Sequence, residues 1–231
     1  MRIGTDVLFG LPKDGSKDKV RRYFFGGYRV FDIIRAAGWP IWPLLLASII
    51  AVALIIERSI TLRRAKIVPP GLLQSVIAEF RQGGVAPEMV NRLAAHSPLG
   101  QVLAAGLRNM NASREVMKEA VEEVGRGITH DLERFLTSLG TIASIAPLMG
   151  LFGTVVGMIE IFGSQSPSGA NPQQLAHGIS VALYNTAFGL LIAIPAMIFY
   201  RHFRALVDSL LVDMEQQAVK LVEVLLGERR D

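Results

Sequence analysis

Three stretches of this chain stay apolar long enough to cross a bilayer, and nothing else in the sequence narrows its possible folds so far. The first is residues 38–56, GWPIWPLLLASIIAVALII; the second is 139–163, LGTIASIAPLMGLFGTVVGMIEIFG; the third is 178–200, GISVALYNTAFGLLIAIPAMIFY. Each reaches the roughly 18 to 20 apolar residues that a hydrocarbon core demands. The first run has two tryptophans at its start and the basic flank ERSITLRRAK at its end, so it reads as a retained anchor and not a cleaved signal. The chain is 51% hydrophobic, yet 19% of its 231 residues are charged, a mixture that fits a polytopic membrane protein with a substantial water-facing part. The expected class is an all-α membrane protein in contact with the lipid bilayer. The absence of cysteine excludes disulfides, thiol catalysis and Cys-ligated zinc. A formal charge of +4 in such a chain reflects cytoplasmic Lys and Arg, so no nucleic-acid partner is expected.

Orientation follows from the flanks. Arg58, Arg63, Arg64 and Lys66 follow the first run and Arg201 and Arg204 the third, whereas residues 164–177, SQSPSGANPQQLAH, contain no Lys or Arg. The positive-inside bias places residues 57–138 and 201–231 in the cytoplasm and the 164–177 loop outside, in the periplasm. Three spans then put residues 1–37 outside as well. That segment is an awkward export, because residues 1–29 carry Arg2, Lys13, Lys17, Lys19, Arg21, Arg22 and Arg29. Either the downstream hairpin fixes the topology and the basic tail is tolerated, or native translation starts at Val30. In the second case only Arg35 stays outside, and FDIIRAAGW forms an amphipathic lead-in at the interface.

The cytoplasmic part has helical periodicity throughout. Residues 71–110 read as short helices separated by Gly83, Gly84, Pro87 and Pro98. From Ser113 onward Val116, Ala120, Val124, Ile128, Leu132, Phe135 and Leu139 recur at three- and four-residue steps into the second span. Val207, Leu210, Met214, Ala218, Leu221 and Leu225 do the same after the third. The second and third spans are therefore predicted to continue as long cytoplasmic helices, each about 75 Å at 1.5 Å per residue. Short helices over 71–110 and further copies of the chain would cover their apolar stripes.

The second run is unusual for a lipid-spanning helix because it holds so many small and polar residues. Gly140, Ala143, Pro147, Gly150, Thr154 and Gly157 project onto one face, and Ala182, Asn185, Thr186, Gly189, Ala193 and Ala196 onto a face of the third. Small residues at such spacing let helices approach closely in lipid. Thr154 lies eight residues before Phe162, near the outer end of the second run, and Thr186 eight residues after Gly178, so both are expected about 12 Å deep and at one level. Two hydroxyls at one depth, with Asn185 beside them, point to a shared polar lining, while a threonine alone also satisfies itself on its own helix carbonyl.

APLMGLFGTVVGM followed by GISVALYNTAFGLLIAIPAMIFY resembles the ExbB/TolQ/MotA proton-channel family, and the three-span layout is similar to its ExbB/TolQ branch. The resemblance is specific over about residues 135–205 and holds at the level of layout over 30–134. It implies a homopentamer whose second and third spans line a central pore enclosing an ExbD/TolR-like single-span subunit with a membrane Asp, and it implies a TonB-like protein as a further partner. By motif, Thr154 and Thr186 are the pore threonines, with Asn185 beside the ion pathway. Gly150, Gly153, Gly157, Pro147, Gly189 and Pro195 shape the pore helices, and Glu160 stands at the mouth as a weak candidate. The expected function is conversion of the proton motive force into mechanical work for TonB-dependent outer-membrane transport or a related envelope process, in the bacterial inner membrane. One departure matters: where many ExbB and TolQ proteins read GIAEAL, this chain reads GISVAL, and Val181 supplies no titratable group.

Other chemistry is poorly supported. His96, His130, His177 and His202 lack ligand spacing, so no metal is expected, and GLFGTVVG lacks the GK[ST] ending of a phosphate loop. No enzyme and no cofactor are expected; the transported ion is a proton, with sodium as the other ion that paired threonines serve. The competing reading is a passive membrane scaffold that recruits partners through its cytoplasmic helices.

Overall fold

A computed structural model describes residues 37–163 and 172–228. Among them the chain forms eight helices and no strand: α1 (Ile41–Thr61), α2 (Arg64–Ile67), α3 (Leu72–Gly83), α4 (Pro87–His96), α5 (Pro98–Arg108), α6 (Arg114–Glu133), α7 (Leu136–Gly163) and α8 (Pro172–Leu225). Three helical paths are long and apolar enough to span a membrane, Ile41–Thr61, Arg114–Gly163 and Leu175–Leu225. The alternative start at Val30, the basic cluster over 1–29 and most of the 164–177 loop lie outside the described residues.

Local chemistry accounts for the helix ends. Pro87 and Pro98 occupy first-turn positions, where a missing N–H costs nothing. Ser97 and Ser113 cap the next starts, their hydroxyls accepting from the amides of Gly100 and Val116 at 3.1 and 3.4 Å. Gly84 closes α3 at φ 74°, a backbone conformation that penalises any side chain. The helix that carries the third apolar run begins at Pro172 and continues unbroken for 54 residues to Leu225, about 80 Å.

α7 and α8 form the most extensive helix pair, and α1 packs on both. The main core lies where α3 to α7 meet the inner half of α8. Leu99, Leu103, Leu107, Leu136, Leu139 and Val207 are each at most 1% exposed there. Toward the outer side the burial thins to Leu44, Ala146 and Ala193. On α8 the expected stripe of Val207, Leu210, Met214, Ala218 and Leu221 is buried, with Leu225 half-buried.

Two stripe positions on the preceding path are displaced. Met117 is fully buried, whereas Val116 is 46% exposed; Leu136 is buried, whereas Phe135 is 37% exposed. The second displacement has a backbone cause. The long path is broken between Glu133 and Leu136, where Arg134 is extended (φ −50°, ψ 139°) and Phe135 adopts φ 65°. The break turns Phe135 outward and leaves its neighbour to continue the stripe.

Candidate ion-pathway site in the helical hairpin

The site is built from glycines before it is built from polar groups. Gly150, Gly153 and Gly157 lie on the buried face of α7, against Ala182, Asn185 and Gly189 of α8. A Cβ on Gly189 would sit 2.6 Å from the Ala146 carbonyl oxygen, and one on Gly150 would sit 2.9 Å from that of Asn185. Both obstacles are backbone, so only glycine fits. This close approach is what small residues provide in lipid, where apolar burial does not drive helices together.

Proximity then allows a polar contact across the helix pair. The Thr186 hydroxyl donates across the interface to the Gly150 carbonyl at 3.4 Å. In an α-helix the Gly150 carbonyl also receives the amide of residue 154, so this bond places Thr186 on the turn that carries Thr154. Thr154 turns its own hydroxyl to the Leu151 carbonyl at 2.6 Å, satisfying it within its helix, and both threonines are half-buried.

Asn185 sits apart from them, sealed inside the subunit at 0% exposure. Its Nδ2 donates to the carbonyls of Ala37 at 2.9 Å and Val181 at 3.1 Å, its Cβ presses on Gly153, and its Oδ1 is buried without a hydrogen bond. It therefore joins the start of the first span to the hairpin. Trp39 packs edge-on against Phe152 with ring centroids 6.0 Å apart, so the beginning of α1 is level with the threonines.

The remaining expected residues are dispersed. Pro147 is half-buried and Pro195 is exposed in one subunit. Glu160 is exposed near the end of α7. Among the described residues no group of three His, Cys, Asp or Glu is placed to hold a metal.

Arg58, which the sequence marks only as a topology signal, has a structural role. It is 3% exposed, and its Nη1 donates to the Leu132 carbonyl at 3.2 Å. Its Nε lies 2.7 Å from Glu57 Oε2, close enough for charge attraction without the alignment of a hydrogen bond, and its guanidinium lies 5.1 Å from the centroid of the Phe135 ring. The only sequence signal is an Arg two positions behind the apolar run ALII, next to Glu57.

A helical protein with three helices long and apolar enough to cross a membrane, the second and third closing on glycine and continuing well past their apolar runs, is a polytopic membrane protein. The profile of the MotA/TolQ/ExbB proton channel family matches residues 94–216, and the chain belongs to that family. It is similar to the putative biopolymer transport protein ExbB-like 3 of Synechocystis, 33% identical over 177 residues, covering 74% of this chain and 83% of that protein. It is also similar to the biopolymer transport protein exbB1 of Vibrio cholerae, 33% identical over 169 residues (69% of this chain, 72% of that one). The Tol-Pal system protein TolQ of Haemophilus influenzae is 32% identical over 122 residues, covering 48% of this chain and 54% of that one.

Proposed function

We propose that this chain is the channel-forming subunit of an ion-driven inner-membrane motor, a transport component and not an enzyme. It works as a homopentamer around an ExbD/TolR-like single-span partner that carries a membrane Asp, with its N-terminus periplasmic and its C-terminus cytoplasmic. The observation that carries the reading is the Thr186 to Gly150 bond, which sets two hydroxyls on one turn of adjacent helices. The unpaired faces of the same helices support assembly: Leu148, Ile159, Leu183 and Leu191 are 63 to 66% exposed in one subunit and require lipid or further copies. Moving one charge across the membrane releases roughly 2.3 kcal/mol per 100 mV, so a few ions supply a mechanical step larger than any surface contact. Neutralising the partner's Asp beside Thr154 and Thr186 frees it to move relative to the pentamer, which delivers work to a TonB-type, Tol-type or related envelope load.

The test is proteoliposome ion flux with the co-purified complex under separate proton and sodium gradients, with native mass spectrometry of the same sample. Thr154→Val with Thr186→Val is expected to abolish coupled flux while five copies and two partners remain assembled. Undiminished flux in the double variant overturns the pathway. A homo-oligomer without any single-span acidic partner supports the scaffold instead.

A further inference from the structure

The break between α6 and α7 has no cause in its own sequence. Residues 129–139, THDLERFLTSL, contain neither Gly nor Pro. The buried positions Leu132, Leu136, Leu139, Ala143, Ala146, Gly150 and Gly153 keep three- and four-residue steps straight across it. Phe135 nevertheless takes φ 65° and is the one non-glycine residue with positive φ among the described residues, a conformation its Cβ disfavours. Such a conformation persists only where surrounding contacts impose it.

Those contacts come from the inner end of α1. A helix end leaves its last four carbonyls without intrahelical partners, and Arg58 supplies a donor to one of them, Leu132. In an uninterrupted helix the same carbonyl would receive the amide of Leu136. The Arg58 guanidinium also lies over the Phe135 ring, Arg134 lies over it at 4.8 Å, and Arg204 of α8 holds Glu133 at 3.4 Å. Two discrete arrangements are therefore open to this segment: a broken one capped by Arg58, and a continuous one in which Leu136 replaces it.

We propose that Arg58 is a positioning residue that holds the α6–α7 joint open, and that its withdrawal lets residues 114–163 close into a single helix. A shift of the first span against the hairpin is thereby converted into a change in how the second span meets the cytoplasmic helices.

Backbone hydrogen exchange on the full chain in lipid nanodiscs tests this. Thr137 and Ser138 are exposed and stand in the first turn of α7, where amides lack intrahelical acceptors, so in the native chain they exchange fast. In Arg58→Gln they gain the carbonyls of Glu133 and Arg134, and their exchange slows by about tenfold or more. Phe135→Gly, which accepts positive φ freely, keeps the break and the fast exchange. Phe135→Ala retains Arg58 but removes the ring it rests on, and shifts exchange in the same direction as Arg58→Gln. That variant decides the matter if Arg58→Gln fails to elute as an intact assembly. Slow exchange in the native chain, or unchanged exchange in Phe135→Ala and in any folded Arg58→Gln, overturns the proposal.

Discussion

Gly189→Ala is the sharpest test of the hairpin geometry. The added methyl would lie 2.6 Å from the Ala146 carbonyl oxygen and 3.0 Å from Gly150 Cα. Ordinary contact begins at 3.4 Å, so the helices must separate by up to 3.4 − 2.6 = 0.8 Å, and neither obstacle is a side chain that can swing aside. Overpacking of this kind costs up to about 3 kcal/mol. Alanine returns about 1 kcal/mol through helix propensity, which leaves about 2 kcal/mol of destabilisation. For a chain of this size each kcal/mol moves the unfolding midpoint by about 2–4 °C, so a loss of about 4–8 °C is expected. Gly157→Ala is the matched control. Its methyl would meet the Ala182 Cβ at 3.4 Å, an ordinary contact, and only the propensity gain remains. The assay is the temperature at which the purified assembly loses its size-exclusion peak. Equal shifts in the two variants, or none in Gly189→Ala, would refute the claim that backbone contact sets the helix separation.

Asn185→Leu preserves side-chain volume but strips the donor from the Ala37 carbonyl, and a lost interhelical hydrogen bond in a membrane costs about 0.6 to 1.7 kcal/mol. A lowered midpoint in the same thermal assay is expected, and an unchanged one counts against the three-element join. Ser97→Ala removes the cap of α5, whose hydroxyl accepts from Gly100, and is expected to cost about 1 kcal/mol. The Glu115 carboxyl is held below its ordinary value first by its own backbone amide and then by the Ser113 hydroxyl. Its charged form is favoured in the folded helix start, a contribution complete above the unfolded value and lost as pH falls through the depressed native one. Ser113→Ala is therefore expected to raise the Glu115 titration midpoint, followed by carbon NMR of labelled glutamate; a midpoint that stays put removes Ser113 as a cause.

What the sequence shows plainly is what depends on periodicity and composition. Hydropathy locates the spans, and the Val207 to Leu221 stripe is buried as its spacing requires. The Gly150 and Gly189 faces meet because only residues without side chains permit it. The points that escape the sequence depend on distant contacts. Phe135 belongs to an unbroken apolar pattern, and the reason it turns outward lies 77 positions earlier, in Arg58 (135 − 58). Asn185 looks like a neighbour of the two threonines, yet its orientation is fixed by the Ala37 carbonyl, 148 positions away. Pro195 lies inside α8 on a face exposed in one subunit, and the sequence pattern alone does not say what that face meets in an assembly.

Glycine contacts and the break at Phe135 divide the structure into parts of different stiffness. Where backbone touches backbone along α7 and α8, a sliding motion has no slack, since Gly150 and Gly189 already stand closer than side chains allow. α8 continues unbroken from Pro172 to Leu225, so the half beyond its apolar run follows the apolar half as one rod. The second span differs, because α6 is joined to it through two non-helical residues held by an arginine from the first. Displacement of the hairpin as a unit thus passes directly down α8, whereas displacement relative to α1 is felt at the joint. The proposed motor subunit, rigid around a moving partner yet registering that movement at the far end of its long helices, needs one element of each kind, and α8 and the Arg58 joint have those properties.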